Sequence, residues 1–429
     1  MSVRAASTIV ALSSGAPPAA IGVIRVSGPG AGAAIEARVG RPLEPRWPSL
    51  ALLRDHQGAV LDEALVLWFP GPRSATGEDL AEFHCHGGRA VVDAVQRALV
   101  ALPNTRAAEP GEFTRRSFAN GRMDLAEAEG LADLLAAETE MQRAAAMASA
   151  QGHLSAQVGE WRDAVLRLSA QVEAALDFSD EDDVDELPEG FTWNITQLSR
   201  SLEQWLGRPR AEKLGEGYRV ALAGPPNAGK STLFNRLVES EAAITSPIAG
   251  TTRDVIERNV ASSGVPFSFV DTAGLREGSA DSIERIGIER ANAELNRADL
   301  VLWLGPEGEG PDGAWEIAAQ ADSENFTPKG SARFALSAGT GDGVPDLKRA
   351  LVETARGVLP KPGEVALNAR QHRLLRQAQD ALRSASQSSD LLLIGEDLRT
   401  VRLSFDRLIG KTTTEDMLDA LFGRFCIGK

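Results

Sequence analysis

The order of apolar and polar positions divides the chain into stretches of different texture. In the first 120 residues, Ser7–Ser14, Ala20–Ser27, Ala64–Phe69 and Leu80–His86 are short β-prone runs separated by glycine and proline. Arg89–Ala101 instead sets Val91, Val92, Val95 and Leu99 at helical spacing. From Asp124 to Phe178 the chain turns to Ala, Leu, Glu, Gln and Arg. It has no proline there, and Gly130, Gly152 and Gly159 are its only glycines. These are good helix formers, so two or more long helices are predicted. The acidic run Ser179–Glu186 follows, and its mutually repelling charges predict a solvated loop. Tyr218 to about Leu359 alternates strand and helix patterns, as a parallel sheet with crossover helices does. Beyond Pro360 and Pro362 the pattern is helical from about Asn368 to the end. Thr412-Thr413-Thr414-Glu415 predicts a capping box opening the last helix. Two helical blocks around an α/β unit predict that the unit is inserted into one helical domain.

Composition narrows the setting. The chain has 429 residues, 43% hydrophobic and 24% charged, enough for several packed cores. No apolar run approaches the roughly 20 residues needed to cross a bilayer, so no membrane association is expected. The N-terminus lacks the apolar stretch of a secretory signal. Cys85 and Cys426 are the only cysteines, which leaves no disulfide framework. A soluble cytoplasmic protein is expected. The net charge of −15 excludes a grip on nucleic acid by bulk electrostatics.

The most specific chemistry lies at Gly224-Pro225-Pro226-Asn227-Ala228-Gly229-Lys230-Ser231, which fits Gly-x-x-x-x-Gly-Lys-Ser between a strand candidate, Tyr218–Ala223, and a helix candidate, Ser231–Val238. Glycines let backbone N–H groups close on phosphates, and a helix N-terminus favours their charge. Lys230 would reach the β- and γ-phosphates, and Ser231 would ligate Mg²⁺. Asn227, Ala228, Gly229 and Thr232 complete the nucleotide loop. Downstream, Gly250-Thr251-Thr252-Arg253-Asp254 can complete the Mg²⁺ shell and sense the γ-phosphate. Asp271-Thr272-Ala273-Gly274 then follows the strand candidate Phe267–Val270. There Asp271 can hold Mg²⁺ through water, and the Gly274 N–H can meet the γ-phosphate. The three segments in this order predict a GTPase of the translation-factor-like group.

Two features depart from that pattern. No Asn-Lys-x-Asp string follows the strand candidate Leu300–Leu304. The best positional substitute, Ala319-Gln320-Ala321-Asp322, keeps only the aspartate, which can accept two hydrogen bonds from guanine. Ser337-Ala338-Gly339 fits the second guanine-contacting loop. The polar, glycine-rich stretch Gly305–Gly330 predicts a shortened or loosened base-binding region. The second departure is Leu275, which stands where Ras-like enzymes keep the water-orienting glutamine. Arg253, Arg276, Glu284 and Glu289 are candidates for that work.

Beside these motifs stand Ala20-Ile21-Gly22-Val23-Ile24-Arg25-Val26-Ser27-Gly28, Thr76-Gly77-Glu78-Asp79, His86-Gly87-Gly88, Pro110-Gly111-Glu112-Phe113-Thr114, Asp124-Leu125-Ala126-Glu127-Ala128-Glu129 and the ending Phe425-Cys426-Ile427-Gly428-Lys429. Over essentially its full length the chain resembles the MnmE (TrmE) family of tRNA modification GTPases. The resemblance implies an N-terminal α+β domain, 1–120, that binds a tetrahydrofolate derivative (5-formyl- or methylene-tetrahydrofolate) and forms a homodimer. It implies an all-α helical domain, 121–213 and 361–429, interrupted by a Ras-like P-loop GTPase domain at 214–360. It further implies work with the FAD- and NADH-dependent partner MnmG on the C5 position of the wobble uridine of certain tRNAs, with K⁺ activating GTP hydrolysis. By position, Asn227 is the expected K⁺ ligand, with Ser246-Pro247-Ile248-Ala249-Gly250-Thr251 wrapping that ion and the nucleotide, Ser246, Ile248 and Thr251 among its ligands. Thr252 joins Ser231 on Mg²⁺. Glu284 matches the family's water-orienting glutamate. Arg25, Glu82, Arg122 and Lys429 match the folate site, although the family often has lysine in place of Arg122. Cys426 matches a near-terminal cysteine thought to take part in the modification chemistry, and a thiol there could act as a nucleophile.

His84-Cys85-His86 also raises a metal reading. In a strand the two histidines share a face and Cys85 points away, so two ligands alone do not close a site. The alternatives are a ribosome-assembly GTPase of the Era or EngA kind, for which no KH-type or second G domain is visible, and a non-catalytic folate-binding or scaffold protein whose G domain has decayed.

Overall fold

The computed structural model describes residues 7–177, 187–239, 241–243, 256–272, 292–324, 326 and 328–429. The acidic run expected as a loop lies outside them. The chain forms two compact units, residues 1–132 with 405–429, and residues 133–404.

The first unit is built on a six-stranded sheet of order β3-β4-β5-β2-β1-β6. Its strands are β1 (Thr8–Leu12), β2 (Ile21–Ser27), β3 (Ser49–Arg54), β4 (Val60–Phe69), β5 (Leu80–His86) and β6 (Thr105–Ala107). All pairs are antiparallel except β1 with β6. Both faces of β1 are covered, which explains its unbroken apolar run. Val10 joins Ile24, Val26, Ile35, Phe83, Val92, Val95 and Leu99 on the face packed by α1 (Ala31–Val39) and α2 (Arg89–Val100). Ile9 and Ala11 face Leu80, Ala108 and Phe113 of α3 (Glu112–Ala119).

A third cluster joins the start of α4 (Leu125–Ala136) to the last helix, Glu415–Phe422. It contains Leu125, Ala128, Leu418, Leu421, Phe422 and Phe425. The capping box expected at Thr412 does not form. The helix opens at Glu415, three residues later, and Thr414 makes no side-chain cap bond. The Glu415 carboxylate is drawn instead to Arg115, which also bonds Asp419 at 2.6 Å.

The second unit combines helices with a seven-stranded sheet of order β13-β12-β11-β7-β10-β9-β8. Its helices include α5 (Glu140–Ala150), α6 (His153–Asp177), α7 (Phe191–Leu206) and α8 (Ala211–Glu216). Leu154, Val158, Trp161, Val165, Leu168 and Val172 recur every three or four residues along α6 and are buried, a single apolar stripe. Trp161 meets Trp205 edge-on at 5.6 Å and donates to Ser201 Oγ at 2.9 Å. The strands are β7 (Tyr218–Ala223), β8 (Ala242–Ala243), β9 (Ile256–Ser262), β10 (Val265–Asp271), β11 (Leu300–Trp303), β12 (Trp315–Ala318) and β13 (Phe334–Ala335). From β13 to β10 the pairing is parallel, and β9 and β8 continue it antiparallel. Central β7 is apolar throughout its middle because α9 (Lys230–Glu239) and other helices cover the sheet. The long helices α10 (Val344–Val358), α11 (Ala369–Gln387) and α12 (Leu391–Leu408) follow. True capping boxes occur at Thr139/Gln142 on α5 and Asn368/Gln371 on α11.

The stretch Gly305–Gly330, expected to be loosened, contains β12, paired in parallel with β11. Trp315 and Ile317 are buried, and the Arg333 guanidinium lies 3.7 Å from the Trp315 ring centroid. The glycines allow close packing: a Cβ on Gly305 would sit 2.3 Å from the Trp303 ring.

Candidate functional site

The phosphate loop joins the C-terminal end of β7 to the first turn of α9, at the switch point of a parallel sheet where ligands bind. Gly224 has φ +145°, and a Cβ there would lie 2.9 Å from the Gly305 nitrogen, so the turn requires glycine. Gly229 has φ +88° and Asn227 φ +64°. Ala228 packs partly buried against the core of the sheet. Lys230 is buried, and its ammonium donates to the carbonyls of Gly224 at 3.0 Å and Pro225 at 2.7 Å. The cation is therefore held inside the loop.

Asp271 closes β10 opposite Leu222 of β7 and is 1% exposed. Ser231 Oγ donates to Asp271 Oδ2 at 2.6 Å. A hydroxyl and a carboxylate meeting at the loop mouth are a donor set that fits Mg²⁺. Thr232 is exposed in the same turn of α9. The Thr272 hydroxyl is engaged by the Leu222 carbonyl at 2.7 Å, so its side chain locks β10 to β7.

The base-reading candidates come together. Ala319–Asp322 directly follows β12, the strand that the sequence pattern does not reveal. Ala321 N–H donates to the Leu336 carbonyl at 3.1 Å, next to the Ser337 loop. A Cβ on Gly339 would lie 3.6 Å from Asp322 Oδ2. Asp322 is exposed, Ala338 is partly buried, and Ser337 is buried with its Oγ accepting from Thr340 N–H at 3.1 Å. Gln320, in the place of the motif's lysine, donates from Nε2 to the Asn227 carbonyl of the phosphate loop at 3.0 Å. The only signal for it in the sequence is its place in a motif that normally carries a cation.

Ser246, Pro247, Ile248, Ala249, Gly250, Thr251, Thr252, Ala273, Gly274 and Glu284 lie outside the described residues. So do Arg253, Leu275, Arg276 and Glu289.

A second cluster lies in the first unit. Arg25 on β2 pairs in register with Glu82 on β5, Nε to Oε1 at 2.8 Å. His84 Nε2 reaches the other Glu82 oxygen at 3.2 Å. Burial alone would raise the Glu82 carboxyl, but the charge and hydrogen bond of Arg25, aided by His84, hold it below the usual range. Arg122 is exposed, and its stem lies against Gly77, where a Cβ would come within 3.1 Å.

The C-terminal tail is seated on this unit. Ile427 bridges Pro110, and the Gly428 carbonyl accepts from Ser13 Oγ at 2.8 Å. Gly428 has φ +96°, and a Cβ there would meet the Leu12 carbonyl at 2.1 Å. Cys426 is exposed, and its carbonyl accepts from Lys429 N–H at 3.2 Å. Cys85, by contrast, faces the core, and burial, helped by Asp62, pushes its thiol up to about 12. His84 bonds Glu82 and His86 bonds Asp62 on the opposite face. Among the described residues no three or more His, Cys, Asp or Glu side chains cluster as metal ligands.

A phosphate loop between β7 and α9, with serine and aspartate meeting at its mouth, defines a P-loop nucleotide hydrolase. A family model described as the MnmE helical domain matches residues 125–426, and one described as the GTP-binding protein TrmE N-terminus matches residues 8–122. The tRNA modification GTPase MnmE of Erythrobacter litoralis is 64% identical over 98% of this chain and 100% of its own length. The same-named proteins of Novosphingobium aromaticivorans and Zymomonas mobilis are 59% and 48% identical, each over 98% of this chain and 99% and 100% of their own lengths. The G domain of the T. maritima FeoB iron transporter aligns with a TM-score of 0.24 at 24% identity, over 32% of this chain and 98% of its own. The chain belongs to the MnmE (TrmE) family of tRNA modification GTPases. Relatives matched over nearly their whole length set aside the ribosome-assembly alternative.

Proposed function

We propose that this GTPase is activated by K⁺ and works as a homodimer in the cytoplasm. With the FAD- and NADH-dependent protein MnmG, it modifies the C5 position of the wobble uridine of certain tRNAs. The one-carbon unit comes from 5-formyl- or methylene-tetrahydrofolate. In this reading residues 1–120 bind folate, 214–360 form the G domain, and 121–213 with 361–429 form the helical domain.

The observation that carries the reading is the seating of the tail. Pro110–Ile427 and Ser13–Gly428 contacts hold Cys426 and Lys429 on the same unit as the Arg25–Glu82 pair and Arg122. The cations Arg25, Arg122 and Lys429 suit the glutamate carboxylate of a folate, and Glu82 can accept from its pterin N–H groups. Bound folate would supply the transferable carbon. Cys426 offers an accessible thiol on that side of the protein.

In the G domain, Ser231 and Thr252 would ligate Mg²⁺, with Asp271 holding it through water, and the positive φ of Asn227 suits a backbone turned toward bound phosphate and K⁺. Asp322 and the Ser337–Gly339 loop would read guanine. Glu284 would orient the attacking water.

Cys426→Ser tests the reading. The variant should fold and hydrolyse GTP normally but leave the wobble uridine unmodified, because serine is a far poorer nucleophile near neutral pH. Mass spectrometry of tRNA nucleosides from a deletion strain carrying the variant reads the outcome. Full modification there would leave Cys426 without a part in the chemistry.

A further inference from the structure

We infer that Gln320 is a positioning residue that ties the base-reading loop to the phosphate loop, so that nucleotide affinity depends on its amide N–H. This rests on the reading that the nucleotide base lies against the Asp322 and Ser337–Gly339 loops.

Five described residues other than glycine have positive φ, and two of them are Asn227 at +64° and Gln320 at +60°. Neither is of a type that adopts this conformation without cost, although asparagine tolerates it better. Such outliers persist where surrounding contacts hold them, and they gather at binding sites. Here the two strained residues are joined: Gln320 Nε2 donates to the Asn227 carbonyl at 3.0 Å. The side chain also lies over the loop glycine, since a Cβ on Gly229 would come within 3.4 Å of Nε2 and 3.6 Å of Cγ.

The same short segment is fixed on its other side. Ala321 N–H bonds the Leu336 carbonyl at 3.1 Å, and the Gln320 carbonyl accepts from Ser323 N–H at 2.9 Å. Ala319–Asp322 therefore bridges the two halves of the nucleotide site. One end of it positions Asp322 beside Gly339, and Gln320 sets the distance from that pair to the phosphates. A side chain in this place needs reach and a donor, and glutamine supplies both without a charge. The chain thus keeps a mechanical link although the string Asn-Lys-x-Asp is absent.

The test uses the full-length chain with Mg²⁺ and K⁺ present, fluorescent GDP for equilibrium binding and GTP for turnover. Gln320→Met keeps length and removes the donor, and Gln320→Lys restores a donor of similar reach. The Met variant should bind GDP about three- to tenfold more weakly, the range for one hydrogen bond, and raise KM for GTP by a similar factor. The loss should fall on affinity and not on kcat, and the melting temperature without nucleotide should match that of the parent. The Lys variant should recover affinity to within about twofold. Parental affinity in the Met variant would overturn the inference. So would a Lys variant as weak as the Met variant, or a fall in nucleotide-free melting that accounts for the lost affinity. Lys230→Ala is measured alongside. If it too binds GDP like the parent, the phosphate-loop reading fails. If it loses binding while Gln320→Met does not, only the tether fails.

Discussion

Replacing Lys230 by alanine tests whether the loop between β7 and α9 holds the phosphates. The ammonium has three N–H donors. It is fixed inside the loop by two carbonyls, at 3.0 and 2.7 Å, rather than extended into water. A cation so placed needs little reorganisation to meet a phosphate. Removing it forfeits one or two charge-assisted hydrogen bonds, roughly 2–6 kcal/mol. Each 1.4 kcal/mol is about tenfold, so GTP affinity should fall by about 30-fold to 10⁴-fold. The Gly224 and Pro225 carbonyls also lose their partner, so the nucleotide-free variant should be less stable by about 1–3 kcal/mol. Calorimetric titration with GTP at constant Mg²⁺ and K⁺ measures the first effect, and circular-dichroism melting the second. A variant that melts a few degrees lower yet binds GTP as the parent does would refute the assignment, since it would make Lys230 a loop brace only.

Further outcomes are expected elsewhere in the site. Glu284→Ala should lower kcat while leaving GTP affinity near that of the parent, because a water-orienting group acts in the transition state; weaker binding with unchanged turnover would make its role structural. Asp322→Asn should erode the preference for GTP over ATP in competition binding, and an intact preference would remove Asp322 as the base reader. At pH 8 a thiol reagent should titrate Cys426 in the native chain and both cysteines after unfolding. Burial holds the Cys85 thiol near 12, well above that pH, so Cys85 stays protonated until unfolding returns it to the ordinary thiol range. Equal labelling of both cysteines in the native chain would contradict the burial of β5.

The phosphate loop is legible in the sequence because its chemistry is local. Glycines at fixed spacing, a lysine and a hydroxyl must stand in one order, and the strand and helix on either side carry their own patterns. Asp271 is legible for the same reason. The hidden features depend on distant partners. Strand β12 has four residues in a polar, glycine-rich stretch, and its stability comes from Arg333 over Trp315 and from pairing with β11. Thr412 to Glu415 has the spacing of a capping box, but Arg115, some 300 positions earlier in the chain, takes the carboxylate. The only sequence signal for Gln320 is its place in the motif, because the usual residue there is a lysine, whereas the geometry asks only for a donor of sufficient length. In the tail, Phe422 and Phe425 join the cluster with Leu125 as their apolar character implies. The close approach of Gly428 to Leu12 cannot be read from either segment alone.

In the proposed function the chain hydrolyses GTP at a phosphate loop that works with Mg²⁺ and K⁺. Steady-state GTP hydrolysis by the purified full-length chain, in matched KCl and NaCl with Mg²⁺ held constant, tests it most directly. Hydrolysis should require Mg²⁺, rise sharply in K⁺ over Na⁺, and lose its K⁺ response in Asn227→Ala. Equal rates in the two salts, or hydrolysis that persists after Mg²⁺ is chelated, would contradict it.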